Sequence, residues 1–447
     1  MTRTARAGRR LGLPRLTRRR RFEPVAGNSI TLLVGGEAFY EHLAAAIAEA
    51  RHEVLLNTYL WADDETGRAF LQAAADAARR GVSVAVLVDG VGSFSLQEKQ
   101  LAALREAGAR AAVYGPVHRW LRRWWSVHRL LRRNHRKNCV VDGQLAWTGG
   151  AGIGDFWTTR CERPWRDLMA AVRGPIARQF RQVFHDDWHI ATGERLPDLP
   201  PAAGARTDAR AEVRAEAPAG VRAEVRAEVR AEAPADVRAE VRAVARAEAH
   251  ARSPTGGRPR EGRAESGESL RVLATSIARR ELVSELHAAV GQARRRLWIA
   301  SAYFVPSFLL RRRLRSAARR GLDVRLLLPG PDNDHRIVWY AGRRHYGKLL
   351  AAGVRVFESN CGLQHAKYAL ADDDWGFVGS SNLDAWSASY NLELDLELHS
   401  PGALAQLEAQ FRTDIADARE ITLQHWSDRP YAMRLAERLF GWVDPLL

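Results

Sequence analysis

The sequence predicts an α/β protein of two similar halves, each a mixed, largely parallel sheet with flanking helices, packed about a pseudo-twofold axis. Three observations predict it. Through residues 28–114, short apolar runs alternate with segments of helical period, the pattern of strand–helix–strand units. Stretches of the first half recur in order in the second: Ala77-Ala-Arg-Arg-Gly-Val-Ser-Val matches Ala317-Ala-Arg-Arg-Gly-Leu-Asp-Val, and Glu106-Ala-Gly-Ala-Arg110 matches Ala351-Ala-Gly-Val-Arg355. Self-similarity of this kind marks an internal duplication. Finally, the pattern H-x-K-x4-D occurs twice, as His135, Lys137, Asp142 and as His365, Lys367, Asp372.

Taken in order, Ser29 to Val34 is a strand, Gly36 to Arg51 a helix with Phe39, Leu43 and Ile47 on one face, and Glu53 to Leu60 a buried strand. A helix from Gly67 to Arg80 ends at Gly81, whose lack of a Cβ suits the left-handed C-terminal cap. Val82 to Val88 is of strand length, Leu96 to Ala107 is helical and closed by Gly108, and Ala109 to Tyr114 is another strand. The domain plan is a basic tail over 1–27, a first domain over 28–197, a linker over 198–268, and a second domain over 269–447. That last domain ends in an amphipathic segment from Tyr431 to Leu447. In the linker, the tetrad Val-Arg-Ala-Glu repeats from Val221 to Glu232. Its Arg and Glu stand two or six apart, so no opposite-charge pair forms at helical spacing; a flexible connection is expected.

The net charge of +16 over 447 residues calls for an anionic partner, and both nucleic acid and an anionic membrane surface qualify. Cys139, Cys161 and Cys361 lie far apart without a Cys-x-x-Cys pair, which fits a reducing compartment and gives no metal pattern. No apolar run is long enough to span a bilayer, and the N-terminus lacks the apolar core of a secretory signal. Nine arginines and no acid fall in residues 1–22. Residues 118–134, HRWLRRWWSVHRLLRRN, interleave tryptophan and leucine with arginine, as interfacial membrane segments do; stacking on single-stranded nucleic acid is the other use of that composition.

A strand from His365 to Leu370 would place His365 and Lys367 on one face, because side chains alternate with period two. A nucleophile or acid–base group then stands beside a fixed cation, which suits chemistry on a phosphate. Only four of the 68 basic residues are lysines (Lys99, Lys137, Lys348, Lys367), yet both motifs use one. A compact ammonium meets a phosphoryl oxygen differently from a planar guanidinium.

The doubled motif, with Gly149-Gly150 after the first copy and Gly379-Ser380-Ser381-Asn382 after the second, resembles the phospholipase D superfamily. Asn134-His-Arg-Lys137, Trp165-Arg-Asp167, Asn391-Leu-Glu393 and the terminal Asp444-Pro-Leu-Leu447 make the chain most similar to bacterial cardiolipin synthases without N-terminal transmembrane helices. The resemblance implies a phosphatidyltransferase using a phosphohistidine intermediate, with His135 as nucleophile and His365 as acid–base. Lys137 and Lys367 would hold phosphoryl oxygens, Asp142 and Asp372 would support the motif locally, and Asp167 and Glu393 would orient the histidines. Gly150, Ser380 and Asn382 would bind substrate. No metal or cofactor is implied, since the lysines supply the positive charge. The implied partners are phospholipid substrates and an anionic membrane surface, met peripherally on the cytoplasmic side of the cell membrane. The first copy departs from the family pattern: Gly152 stands where the second has Asn382. Either water or a backbone N–H replaces that donor, or catalysis is altered. Three other functions stay open beside transfer: hydrolysis as a phospholipase D, metal-independent nuclease activity, and binding without turnover.

Overall fold

A computed structural model describes residues 21–116, 132–198, 267–276, 280–360 and 362–440. Most of the basic tail, the Arg/Trp stretch up to residue 131, nearly all of the linker, Cys361 and the last seven residues lie outside that description.

In the first half the chain runs β1 (Val25–Val34), α1 (Gly35–Glu49), β2 (Glu53–Thr58), α2 (Glu65–Arg79), β3 (Ser83–Asp89), α3 (Glu98–Glu106), β4 (Arg110–Tyr114), β5 (Asn138–Val141), β6 (Leu145–Gly149), β7 (Leu168–Arg173) and α4 (Ala177–Thr192). The second half gives β8 (Glu268–Thr275), α5 (Glu281–Gln292), β9 (Arg296–Ala300), β10 (Phe304–Val305), α6 (Phe308–Arg319), β11 (Asp323–Leu328), α7 (Arg336–Arg343), α8 (Tyr346–Leu350) and β12 (Arg355–Ser359). It continues through β13 (Tyr368–Ala371), β14 (Trp375–Gly379), β15 (Leu383–Asp384), α9 (Ala385–Ser389), β16 (Glu393–Leu398), α10 (Pro401–Ala416), β17 (Ala418–Ile421), α11 (Leu423–Ser427) and α12 (Tyr431–Phe440).

The two halves share one 15-stranded sheet. From its centre outward the order is β1-β7-β6-β5-β2-β3-β4 on one side and β8-β16-β14-β13-β9-β11-β12-β17 on the other. Every strand of the first half thus has its counterpart at the same distance from the seam, as a duplication about a twofold requires. The seam is the antiparallel pair β1–β8, with Val25 opposite Leu270 and Asn28 opposite Glu268. Asn28 pins it: its Nδ2 donates to Val25 O at 2.6 Å and to Glu268 O at 3.1 Å, while its Oδ1 accepts from Ile176 N at 2.9 Å.

Parallel pairing in this sheet is confined to β2–β3–β4 and β9–β11–β12. The parallel share is smaller than the alternation of strand and helix implied. Beyond Tyr114 the chain reverses by tight hairpins, β5–β6 and β13–β14, which give antiparallel ladders. The strand expected over His365 to Leu370 also begins later, at Tyr368. His365 to Lys367 form an extended lead-in, and the period-two expectation survives there because both side chains reach the same side (below).

One face of the sheet carries a core common to both halves, in which Leu55, Val140 and Phe180 join Leu270, Leu396 and Phe411, under α4 and α10. The other face holds two separate cores, one beneath α1 to α3 and one beneath α5, α6 and α8. Burial of strands on both faces explains why they read as continuous apolar runs.

The third residue type of the motif works at the far end of its hairpin. Asp142 and Asp372 occupy the turns at φ +50° and +49°, the only non-glycine residues at positive φ among those described. The Asp142 carboxylate accepts from the backbone N–H groups of Arg51, His52 and Glu53, and that of Asp372 from Arg294, Arg295 and Arg296. Each aspartate therefore ties its hairpin to the start of β2 or β9. Burial raises the Asp372 carboxyl, but the three N–H donors outweigh it and hold the group below its usual range. Asp372→Ala is expected to cost about 3 kcal/mol by chemical denaturation, since charge-accepting bonds are lost and alanine is strained at positive φ. Asp372→Gly should recover about 1 kcal/mol of that. The fraction that stays folded should keep its kcat.

Candidate active site

The residues just before β5 and β13 leave their own half to pair with the other. His135 N donates to Leu392 O at 3.0 Å and Leu392 N to Arg133 O at 2.9 Å; His365 N donates to Arg166 O at 2.7 Å and Arg166 N to Leu363 O at 2.8 Å. Because Leu392 and Arg166 each immediately precede an acidic residue, the exchange brings each histidine onto a carboxylate of the opposite half. His135 Nδ1 lies 2.9 Å from Glu393 Oε2, and His365 Nδ1 lies 2.7 Å from Asp167 Oδ2. Lys137 Nζ reaches His135 Nε2 at 3.0 Å, and Lys367 Nζ lies 2.8 Å from His365 Nδ1. All six side chains are buried.

Burial sets the electrostatics. It lowers His135, with Glu393 opposing and Lys137 adding. It pushes His365 down to about 4, with Lys367 adding and Asp167 opposing. Lys137 falls to about 8 and Lys367 to about 7 for the same reason, each partly supported by the nearby carboxylates. Burial would raise Asp167 and Glu393, but the cationic neighbours and hydrogen-bond donors outweigh it and keep both below the usual range. Each histidine also feels the other half's lysine, so the two motifs form one electrostatic unit.

Asp142 and Asp372, expected to support the motif locally, lie outside this cluster and bind the backbone N–H groups described above. Ser380 and Gly150 lie within it, at equivalent places with different parts. Ser380 Oγ donates to Glu393 Oε2 at 2.6 Å and accepts from Leu394 N at 2.9 Å. Gly150 touches the other carboxylate: a Cβ there would stand 2.1 Å from Asp167 Oδ1. Asn382 is buried beside the cluster with its Oδ1 lacking a hydrogen-bond partner among the described residues.

Several participants were given no part from the sequence. Tyr59 packs edge-on to His135 at 4.9 Å and lies beneath Lys137. Ser387 Oγ and Asn391 Nδ2 donate to Glu393. Trp157 Nε1 donates to Asp167 Oδ2 at 3.0 Å, and Phe156, Trp157 and Trp165 build an aromatic wall, with Trp165 5.1 Å from His365. Trp157 follows Gly150 by seven residues, as Ser387 follows Ser380; aligning the two halves past the motif turn would have found both.

This alignment also explains Gly152. A Cβ there would lie 2.6 Å from Leu60 O and 3.0 Å from the Trp157 ring, so the indole and the Leu60 carbonyl occupy the space that an asparagine would need. The first half trades Ser380, Asn382, Ser387 and the longer Glu393 for Gly150, Gly152, Trp157 and the shorter Asp167, and still delivers a buried carboxylate with a side-chain donor. Trp157→Phe keeps the bulk and removes the donor. It is expected to lower kcat roughly tenfold, within the range for removal of a partner that orients a reacting group, with the thermal midpoint nearly unchanged.

Such a fold and site, two halves each giving a histidine and a lysine to one buried cluster, define a phospholipase D-like protein. A family model described as "Cardiolipin synthase, PLD-like domain" matches residues 43–188 and 286–415, and the chain belongs to that family of phospholipase D-type phosphatidyltransferases. It is 31% identical to cardiolipin synthase A of Pseudomonas putida (strain KT2440) over 95% of this chain and 76% of that protein. To the cardiolipin synthase of Alkalihalophilus pseudofirmus it is 28% identical, over 95% and 73%. Among solved structures it is similar in fold to a phosphatidylserine synthase of Haemophilus influenzae Rd KW20, with a TM-score of 0.64 at 15% identity over 93% of each chain. A polyphosphate kinase from Porphyromonas gingivalis is also similar in fold, with a TM-score of 0.53 at 12% identity over 94% of this chain and 54% of that one. No helix among the described residues is long and apolar enough to cross a membrane.

Proposed function

We propose that the protein moves a phosphatidyl group from phosphatidylglycerol to a second phospholipid alcohol, forming cardiolipin through a phosphohistidine. The observation that carries this proposal is the pair of buried imidazoles, each with Nδ1 held by a carboxylate of the opposite half and each beside a lysine.

A histidine that donates Nδ1–H to Glu393 keeps its lone pair on Nε2, the nitrogen that Lys137 meets. In the assignment the resemblance implies, His135 Nε2 attacks phosphorus and the bond from phosphorus to the departing glycerol oxygen breaks. That oxygen takes a proton from His365 in its imidazolium form, which the bound phosphodiester's charge favours. The incoming alcohol then gives its proton to His365 as its oxygen attacks phosphorus, and the P–N bond breaks to free His135. Lys137, Lys367 and the Asn382 amide meet the phosphoryl oxygens, where negative charge builds up in the transition state. The neighbouring Phe156, Trp157 and Trp165 favour lipid over water as the second substrate. The excess positive charge supports peripheral work on an anionic membrane surface, and the dispersed cysteines support its cytoplasmic side.

Purified protein given phosphatidylglycerol vesicles, with or without phosphatidylethanolamine, is expected to release glycerol and make cardiolipin. Phosphatidic acid as sole lipid product would replace transfer by hydrolysis, and cleavage of DNA in EDTA with no lipid turnover would make it a nuclease. His365→Ala is expected to lower kcat by roughly 10²–10⁴-fold. Because Lys367 and Lys137 stand at about 7 and about 8 in the protein by itself, kcat/KM is expected to fall as pH rises through that window and the ammonium groups are lost. The limb in kcat should lie at higher pH, since a bound phosphodiester's charge holds the protons on.

A further inference from the structure

We propose that the outward face of α12, together with the start of α6, is the surface on which this protein lies against an anionic phospholipid bilayer. The choice of lipid rests on the function proposed above; the surface itself does not.

The helix α12 is turned inside out. At 3.6 residues per turn, Met433, Ala436, Glu437 and Phe440 share one side, and Tyr431, Arg434, Leu435, Arg438 and Leu439 the other. The first side docks. Glu437 is 2% exposed and accepts from Arg343 Nε at 3.2 Å and Arg429 Nε at 2.9 Å, while the Phe440 ring stacks on Tyr340 at 5.7 Å. On the second side Tyr431 is 76%, Leu435 53% and Leu439 63% exposed. A helix that merely covers a core buries its leucines and shows its acids; this one shows both leucines and buries its glutamate.

The face is cationic as well as apolar. Glu437, the one acid of α12, is matched by two arginines. Arg438 is exposed, and among the described residues Arg434 bonds only to the main-chain carbonyls of Arg429 and Ser427, with no acid to match its charge. The start of α6 repeats the composition: Phe308 is 65% exposed beside exposed Leu309, exposed Arg312 and Arg319 follow, and no acid occurs from Ser307 to Leu322.

A chain of contacts ties this surface to the site. α12 packs on α7 and α7 on β10. β10 pairs with β15, Phe304 opposite Leu383, directly after Asn382, and α6 begins three residues beyond β10. A bilayer is the occupant that fits both properties. Leucine, phenylalanine and tyrosine enter the acyl boundary while arginine forks meet phosphates at headgroup level. A second copy would set arginines against arginines, and a nucleic acid backbone offers the leucines nothing apolar.

The test uses the full chain and flotation with vesicles of phosphatidylglycerol and phosphatidylcholine, or of phosphatidylcholine alone. Wild type is expected to float with the anionic vesicles. Leu435→Asp with Leu439→Asp should weaken that partition at least tenfold. Arg434→Gln with Arg438→Gln should weaken it about fivefold per arginine, a difference that disappears at high salt. Both variants leave the Glu437 dock intact and should match wild type on a short-chain phosphatidylglycerol dispersed as monomers. Flotation of both variants equal to wild type overturns the proposal, as does a wild type that ignores vesicles and instead forms dimers lost on Leu435→Asp with Leu439→Asp. Flotation is read without turnover: vesicle binding with no lipid product leaves the surface standing and sinks the transferase. Turnover of short-chain lipid by a wild type that does not float does the opposite.

Discussion

The structure depends on an exchange between its two halves. The strand leading into each H-x-K pairs with the residue before the other half's carboxylate, so neither half holds a complete site. Burying histidine, lysine and carboxylate together is tolerable only when each is matched, because an unpaired buried charge is costly. The match is made across the seam. Arg136 strengthens it from the first motif: its guanidinium meets Asp187 of its own half and the main-chain oxygens of Glu393 and Thr275 in the other. Its counterpart Ala366 makes no such bridge, and the shared core on one face of the sheet completes the union.

The two supports of the site are equivalent in place and different in kind. Glu393 gathers donors from Ser380, Ser387 and Asn391; Asp167 is met by Trp157 and by Leu168 N–H, with Gly150 leaving room for it. Side-chain length on one member is offset by bulk on another, so substitutions in this shell are coupled and no single position explains Gly152. Once duplicated, the two histidines were free to acquire unlike surroundings.

The choice of lysine in a chain that otherwise uses arginine has its reason in burial. An ammonium can be drawn toward neutrality by desolvation, to about 7 for Lys367, whereas guanidinium stays charged. A cation that loses its proton near neutral pH would be kept charged by a bound anion. Arginine serves where the charge must persist, in the seam at Arg136 and on the exposed face of α12.

Much of this was determined by the sequence alone. The paired apolar runs, the repeated Ala-Ala-Arg-Arg-Gly segments and the doubled motif carry local information, and they were enough for the duplication, the α/β class, the two histidines and the two lysines. Even the shared side of His365 and Lys367 followed from backbone geometry, although β13 starts three residues late. Tertiary structure alone decided which carboxylate meets which histidine, because Glu393 is 258 residues from His135 and nothing local links them. It also decided which backbone N–H groups Asp142 and Asp372 hold, that hairpins make most of the sheet antiparallel, and that α12 turns its leucines outward. Those outcomes depend on what packs against a side chain after the chain has closed on itself, and periodicity reports only which faces exist, not what each will meet.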